Sequence, residues 1–125
     1  MQKKFLQLND IGIYKLSYNL SNYVWKIVVE WDHFSKSSVG IQYVKVVDSV
    51  SANIAEGFGR YSKKDKVKFY RYSFGSLKES MDWTQKAKAR SLISDKQYEI
   101  IMGELLRFPR EIYSLINFTN EKLSI

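Results

Sequence analysis

Apolar side chains recur at spacings of three, four and seven residues along most of the 125-residue chain. Such spacing collects them on one face of an α-helix, because the helix repeats every ~3.6 residues. One proline and six glycines are also too few turn signals for the many short strands of a β-sandwich. These two features predict an all-α protein.

Helix start and stop signals divide the pattern into four helices, predicted over about residues 10–34, 38–56, 63–90 and 95–118. The serines at 35–38 offer N-caps for the second helix. Capping boxes are predicted to open the third helix at Ser62 and the fourth at Ser94. Gly57 is placed to end the second helix, because glycine tolerates the left-handed conformation of a helix cap.

Four amphipathic helices with short connections favour an antiparallel up-down-up-down bundle, a single domain over residues 1–125. Phe34 is assigned to the core face of the first helix, and Pro109 is expected to interrupt and bend the fourth. Residues 117–125 are expected to fray. The core face of the third helix is predicted to carry Val67, Tyr70, Phe74, Leu77 and Met81.

Few residues of this chain suit metal or nucleophilic chemistry. The absence of cysteine excludes disulfides, thiolate zinc sites and cysteine nucleophiles, and the single histidine, His33, excludes the paired Glu-x-x-His motifs of a di-iron bundle. We therefore expect a non-enzymatic protein without a metal or other cofactor. No apolar segment approaches the ~20 residues of a membrane span, so we expect a cytoplasmic protein without a membrane partner.

Basic residues outnumber acidic ones by 20 to 13, and the resulting net charge of +7 favours an anionic partner. The cations of the third helix share one face, because they recur four, three and seven residues apart. With the nearby Arg60, the predicted nucleic-acid-binding residues are Lys64, Lys68, Arg71 and Lys78. Phosphate contacts would bind RNA or DNA alike. The alternative is a solvated face that keeps the protein soluble.

Aromatic side chains that lie off the core faces form a second line. Trp25 lies off the core face of the first helix, and on the third helix the second line contains Phe69, Tyr72, Ser76 and Trp83. One bundle covers such a line only in part, so the third-helix aromatic residues are predicted to form an oligomer interface. The alternative is that the rings lie flat at the boundaries between helices.

A motif with two parts spans the second and third helices. The first part is Asn53-Ile-Ala-Glu-Gly, which continues through Phe58 and Gly59 to Arg60. Its Asn53 and Glu56 are expected to satisfy open amides at the start of the third helix or to meet Arg60. Gly57 to Arg60 could also cradle a phosphate, although the Walker spacing and a preceding strand are absent.

The second part of the motif is Gly75-Ser76-Leu-Lys-Glu79. Gly75 is expected to admit a neighbouring helix, and Ser76 and Glu79 to complete a polar network with Asn53. The alternative is a ligand site formed by Asn53, Glu56 and Glu79, but nothing in the sequence identifies its ligand.

The two-part motif resembles the signature of the 23S rRNA intervening-sequence protein family, also called the four-helix bundle protein family. The resemblance covers about residues 10–120 and is most specific over 42–79. The usual glutamine followed by two basic residues appears here as Gln42, Val44 and Lys45, so the first basic position is lost.

This resemblance implies a four-helix protomer that assembles as a ring-like homopentamer, without enzymatic activity. Members are encoded inside insertions in bacterial 23S rRNA genes or elsewhere on bacterial chromosomes. Similar bundles serve diversity-generating retroelements, where the basic pentamer binds nucleic acid and the reverse transcriptase. The sequence therefore predicts nucleic-acid binding, with a structural module that recruits a protein such as a reverse transcriptase as the alternative.

Overall fold

The computed structural model describes residues 6–123, which contain four long helices and no strand. Helix α1 covers Gly12–Val28, α2 covers residues 33–59, α3 covers Lys63–Ala89 and α4 covers Asp95–Lys122. A 3₁₀ turn at Leu8–Asp10 precedes α1. The predictions of an all-α protein and of a four-helix bundle are confirmed. No helix within the described residues is long and apolar enough to cross a membrane.

Short connections at 29–32, 60–62 and 90–94 make consecutive helices run antiparallel. Each helix packs against the next, and α1 also packs against α4, so that the four enclose one core. Its largest fully buried side chains include Tyr43, Ile54, Tyr70, Leu77, Ile101, Leu105, Phe108 and Ile112. We call the end of the bundle at which α2 and α4 end and α3 begins the lower end, and the opposite end the upper end.

The first helix is shorter than predicted, because it ends at Val28 rather than near residue 34. Residues 29–32 form the turn to α2, and the Asp32 carboxylate caps α2 by accepting the Ser35 N–H at 3.1 Å. Hydrogen bonds from the side chain and then from the backbone of Ser35 lower the pKa of Asp32. The assignment of Phe34 to the core is wrong, since this residue follows the new cap and its side chain is 79% exposed.

Helix α2 contains an α-helical turn at His33–Ser35, a π-helical turn at Lys36–Gly40 and an α-helix at Ile41–Gly59. The Ile41 N–H donates to the carbonyl five residues earlier, that of Lys36, which is the hydrogen bond of a π-helix. The serines at 37 and 38 donate to carbonyls four residues back, so they do not cap the helix as predicted.

Small polar residues line the buried contact between α2 and α3. Ser73, Ser80 and Thr84 are buried on α3, and the Ser73 hydroxyl donates to the Val50 carbonyl of α2 at 2.8 Å. Tyr70 and Leu77 of the predicted core face are buried, but Val67, Phe74 and Met81 are only half-buried. Compared with the prediction, the core face of α3 is therefore rotated towards Ser73, Ser80 and Thr84, whose small side chains let α2 approach closely.

Helix α4 continues through Pro109, which therefore does not break it, and ends at Lys122, so the predicted frayed tail is wrong over residues 117–122. Buried residues on both sides of the proline, Phe108 and Ile112, hold the helix in place. Thr119 is buried in the last turns and donates to a carbonyl of its own helix. Residues 124 and 125 of the predicted tail lie outside the described residues.

Candidate nucleic-acid interface

The four predicted cations of α3, Lys64, Lys68, Arg71 and Lys78, are all exposed. None of them forms a salt bridge within residues 6–123, where the ion pairs involve other residues. No carboxylate oxygen of the described residues therefore lies within 4 Å of these four charges. Such a face attracts anions over a distance of about one Debye length, roughly 8–10 Å in physiological salt.

An open groove of about 870 Å³ lies at the lower end of the bundle, between the start of α3 and the last turn of α4. Four cations line it, and we call them the groove cations: Lys63, Lys64, Lys68 and Arg71. The other lining residues are Asp65, Val67, Tyr72 and Asn120. Four positive charges therefore face one carboxylate, and the groove carries a clear excess of positive charge.

The last turn of α4 closes one side of the groove. Lys63 Nζ donates to the Asn120 carbonyl at 3.4 Å, which joins the start of α3 to the end of α4. The sequence interpretation missed Asn120, because it assigned this residue to a frayed tail. Lys78 lies outside the groove, seven residues and about 10 Å along α3 from Arg71.

Arg60, the fifth predicted binding residue, does not line the groove. Its Nε lies 3.1 Å from Glu56 Oε2, the pairing expected at the end of the second helix. Its guanidinium carbon lies 4.5 Å from the centre of the Phe69 ring, within the range of a cation–π contact. Glu56 offsets the charge of Arg60, and the Phe69 ring holds the plane of its guanidinium group. Arg60 is therefore less available to a phosphate than the groove cations.

The predicted interface aromatics differ in exposure. Tyr72 is 50% exposed within the groove, whereas Phe69 and Trp83 are half-buried. Phe69 meets Tyr72 edge-on, with ring centres 5.4 Å apart, and Lys86 Nζ lies 4.8 Å from the Trp83 ring. Cations and rings of the same chain thus partly cover Phe69 and Trp83.

Gly57 acts through its small size and not through its backbone conformation, so the predicted left-handed cap is wrong. It lies inside α2 and has a negative φ, like every other glycine of the chain. A Cβ at this position would lie 2.6 Å from Tyr70 Cε1 and 2.9 Å from the Lys66 carbonyl oxygen. The glycine therefore lets the start of α3 cross the end of α2.

Residues 57–59 belong to the helix, so no phosphate-cradling loop forms there. Lys66 instead supplies a hydrogen-bond donor to this helix end, because its Nζ donates to the Phe58 carbonyl at 2.7 Å. Partial burial lowers the pKa of Lys66. Gly59 has open space around it, since a Cβ at this position would have no atom within 4 Å.

The expected polar network of Asn53, Ser76 and Glu79 does not form. Asn53 Nδ2 donates to the Ser49 carbonyl of its own helix at 2.9 Å. Because Ser73 lies opposite Val50 in the antiparallel pair, Tyr70 is level with Asn53, and Glu79 is nine residues, about 13 Å, further along the axis. The same separation argues against a ligand site of Asn53, Glu56 and Glu79.

Gly75 does not admit a helix of its own chain. It is exposed, and no atom lies within 4 Å of the position that a Cβ would take. The expected close approach is therefore wrong for the four helices of one protomer.

Two exposed apolar bands lie on opposite edges of the bundle. The first, the α1–α2 band, consists of Trp25, Val29 and Ile41, which line an apolar groove of about 290 Å³. The second, the α3–α4 band, consists of the exposed Leu106 and Tyr113 and the half-buried Phe74. The bands are opposite because α1 and α2 form one side of the closed four-helix arrangement, and α3 and α4 form the other.

The fold and this surface define a small antiparallel four-helix bundle protein with a cationic outer face. The chain belongs to the 23S rRNA-intervening sequence protein family, whose sequence pattern matches residues 9–118. The resemblance inferred from the two-part motif is therefore confirmed.

A solved structure shares the fold. It is the crystal structure of a protein with unknown function from the S23 ribosomal protein family of Bacteroides thetaiotaomicron. The likeness covers 83% of this chain and 97% of that chain, with a TM-score of 0.72 and 17% sequence identity. A comparison with curated proteins gives no match.

Proposed function

We propose that this protein is a non-enzymatic nucleic-acid-binding protein that holds the phosphate backbone of RNA or DNA on the exposed face of α3. The groove at the lower end of the bundle carries the proposal, because four cations and one carboxylate line it. Lys78 extends the positive face beyond the groove. Cations that form no ion pair with a carboxylate can exchange counterions for phosphates.

Family membership supports RNA as the ligand, since the family takes its name from intervening sequences of 23S rRNA. The backbone contacts proposed here do not themselves distinguish one base sequence from another. Binding is thus expected to depend on salt and on charge more than on sequence.

We also propose that the protein works as a homo-oligomer, in the ring-like pentameric form that the family resemblance implies. Two different apolar bands on opposite edges of a protomer suit a head-to-tail contact, which closes into a ring when the rotation between copies permits. Each copy would add its own groove, so several weak phosphate contacts would combine into firm binding.

The alternative function is a structural module that recruits a partner protein such as a reverse transcriptase. The apolar groove of the α1–α2 band favours it, since exposed apolar patches commonly mark protein contacts. Under this alternative, charge changes in the basic groove would leave the function intact.

Filter binding of mixed-sequence RNA tests the main proposal. The double variant Lys68→Glu/Arg71→Glu is expected to lower affinity at least tenfold for every RNA sequence tested, because two phosphate contacts become repulsive. Affinity of the unchanged protein should fall linearly on a log–log plot as salt rises.

The matched control is Lys26→Glu/Arg90→Glu, which changes the net charge equally but alters exposed residues at the upper end of the bundle. It is expected to weaken binding much less than the groove variant. Equal losses for both variants would reduce the proposal to general charge attraction, and the absence of binding at low salt would overturn it.

A further inference from the structure

The groove contains an exposed aromatic ring that phosphate binding alone does not use. Tyr72 is 50% exposed, and it lines the groove together with the groove cations. We infer that the groove takes a single-stranded segment, with one base stacked on Tyr72 and adjoining phosphates held by the groove cations. This inference rests on the proposed function and names the form of nucleic acid that the site prefers.

Contacts beneath Tyr72 hold the ring in place. Phe69 packs edge-on against it, with an angle of 86° between the ring planes, and the Arg60 guanidinium lies against Phe69 in turn. Lys68 Nζ lies 5.9 Å from the centre of the Tyr72 ring. A braced ring beside a cation offers a base both a stacking surface and a nearby partner for its phosphate.

A double helix would leave this arrangement unused. Its bases stack on one another, so a side chain on a protein surface meets only base edges and the backbone. Unpaired bases expose their flat faces, and stacking on an aromatic side chain raises affinity by roughly fivefold to a hundredfold per base. Lys64 and Arg71 are separated by about 10 Å along α3, so the groove serves a short stretch of strand.

The test compares three probes of the same mixed sequence: single-stranded RNA, single-stranded DNA and duplex RNA. Tyr72→Leu keeps an apolar side chain but removes the aromatic face, and it is expected to weaken binding of both single strands about tenfold. Tyr72→Phe restores the aromatic face and should bind within twofold of the unchanged protein. Duplex binding should change less than twofold in either variant.

Tyr18→Leu is the matched control, because Tyr18 has the same 50% exposure but lies on α1, outside the groove and outside both apolar bands. It is expected to leave the binding of all three probes unchanged. Circular dichroism and thermal unfolding of each variant show that the loss does not come from misfolding.

Comparing the affinities for single-stranded RNA and single-stranded DNA shows whether the site distinguishes ribose from deoxyribose. The inference is overturned if duplex RNA binds as tightly as the single strands and Tyr72→Leu changes neither. In that event, loss of binding in Lys68→Glu/Arg71→Glu still supports the proposed function. If no probe binds at low salt, the proposed function and this inference both fail.

Discussion

At the scale of single residues, the lower end of the bundle depends on contacts between side chains and backbone that come from different helices. Gly57 admits the Tyr70 ring, Lys66 satisfies the Phe58 carbonyl, and Lys63 reaches the Asn120 carbonyl of α4. These contacts fix the start of α3 against the ends of α2 and α4. They thereby fix where the groove cations stand.

Gly57→Ala is predicted to destabilise the protein by about 1–3 kcal/mol, the usual cost of overpacking a filled site. The added methyl group would meet the buried Tyr70 ring at 2.6 Å and the Lys66 carbonyl oxygen at 2.9 Å. Because the second contact is with backbone, it cannot be relieved by rotating a side chain. Urea-induced unfolding at neutral pH measures the change.

Gly59→Ala is the matched control for this prediction. It lies two residues further along the same helix, with no atom within 4 Å of the new methyl group. Alanine favours helix over glycine, so its stability should be unchanged or raised by less than about 1 kcal/mol. An equal loss in both variants would contradict the steric role of Gly57.

The sequence identifies residues more reliably than their contacts. Lys64, Lys68 and Arg71 were found from their spacing, because periodicity alone decides which residues share a helix face. Asn120 was missed and Gly57 was given the wrong role, since both act through a different helix. Local patterns do not show which helix will approach a given residue or how closely.

At the scale of helices, the pairing of α2 with α3 is set by a polar seam. Thr84 Oγ1 donates to the Ser80 carbonyl, so its single proton is used and Tyr43 donates its hydroxyl to Thr84 at 2.8 Å. Burial of Tyr43 raises its pKa to about 12. The sequence pattern correctly predicted Tyr43 in the core. It predicted a core face of α3 made of large apolar residues, because a pattern of hydrophobicity does not detect buried serines.

Tyr43→Phe is predicted to lower stability by about 1 kcal/mol at pH 7 and to become the more stable form near pH 12. At pH 7 it loses one hydrogen bond. The pKa of Tyr43 rises from 10 to about 12 on folding, so the protonated side chain favours the folded state fully below pH 10. That contribution, about 2–3 kcal/mol, is lost between pH 10 and 12 and is absent from the variant.

Urea-induced unfolding at a series of pH values tests this crossing of the two stability curves. Tyr61→Phe is the control, since the Tyr61 side chain is 79% exposed, and its curve should follow that of the unchanged protein. Tyr70, whose pKa is also raised to about 12 by burial, is present in all three proteins and affects them equally. A constant difference between Tyr43→Phe and the unchanged protein from pH 7 to 12 would contradict the prediction.

At the scale of the whole molecule, the exposed surface divides into regions of different chemistry. The α1–α2 band and the α3–α4 band are apolar and lie on opposite edges, while the exposed face of α3 is cationic. The sequence identified aromatic residues outside the core faces and predicted an oligomer interface at Phe69, Tyr72 and Trp83. That interface stays a prediction, and the assembly proposed above uses the two bands instead. Exposure of residues such as Ile41 and Leu106 depends on how the helices rotate in the bundle, which periodicity fixes only roughly.

The proposed head-to-tail assembly predicts a light-scattering mass of five times the 14.7 kDa protomer. A charge in either band should abolish it, because each contact needs one α1–α2 band and one α3–α4 band. Trp25→Glu and Leu106→Glu, which alter side chains 55% and 65% exposed, are therefore each expected to be folded monomers. Tyr61→Glu, which alters neither band, should keep the mass of the unchanged protein.

Mixing the two monomeric variants distinguishes this assembly from a symmetric dimer. Trp25→Glu retains an intact α3–α4 band and Leu106→Glu retains an intact α1–α2 band, so the mixture can form one good contact and then must stop. A mass twice that of the protomer is expected at equal concentrations. A symmetric contact would use the same band on both partners, so one of the two variants would dimerise alone and mixing would add no further mass. A monomeric unchanged protein, or a mixture without the doubled mass, would contradict head-to-tail assembly.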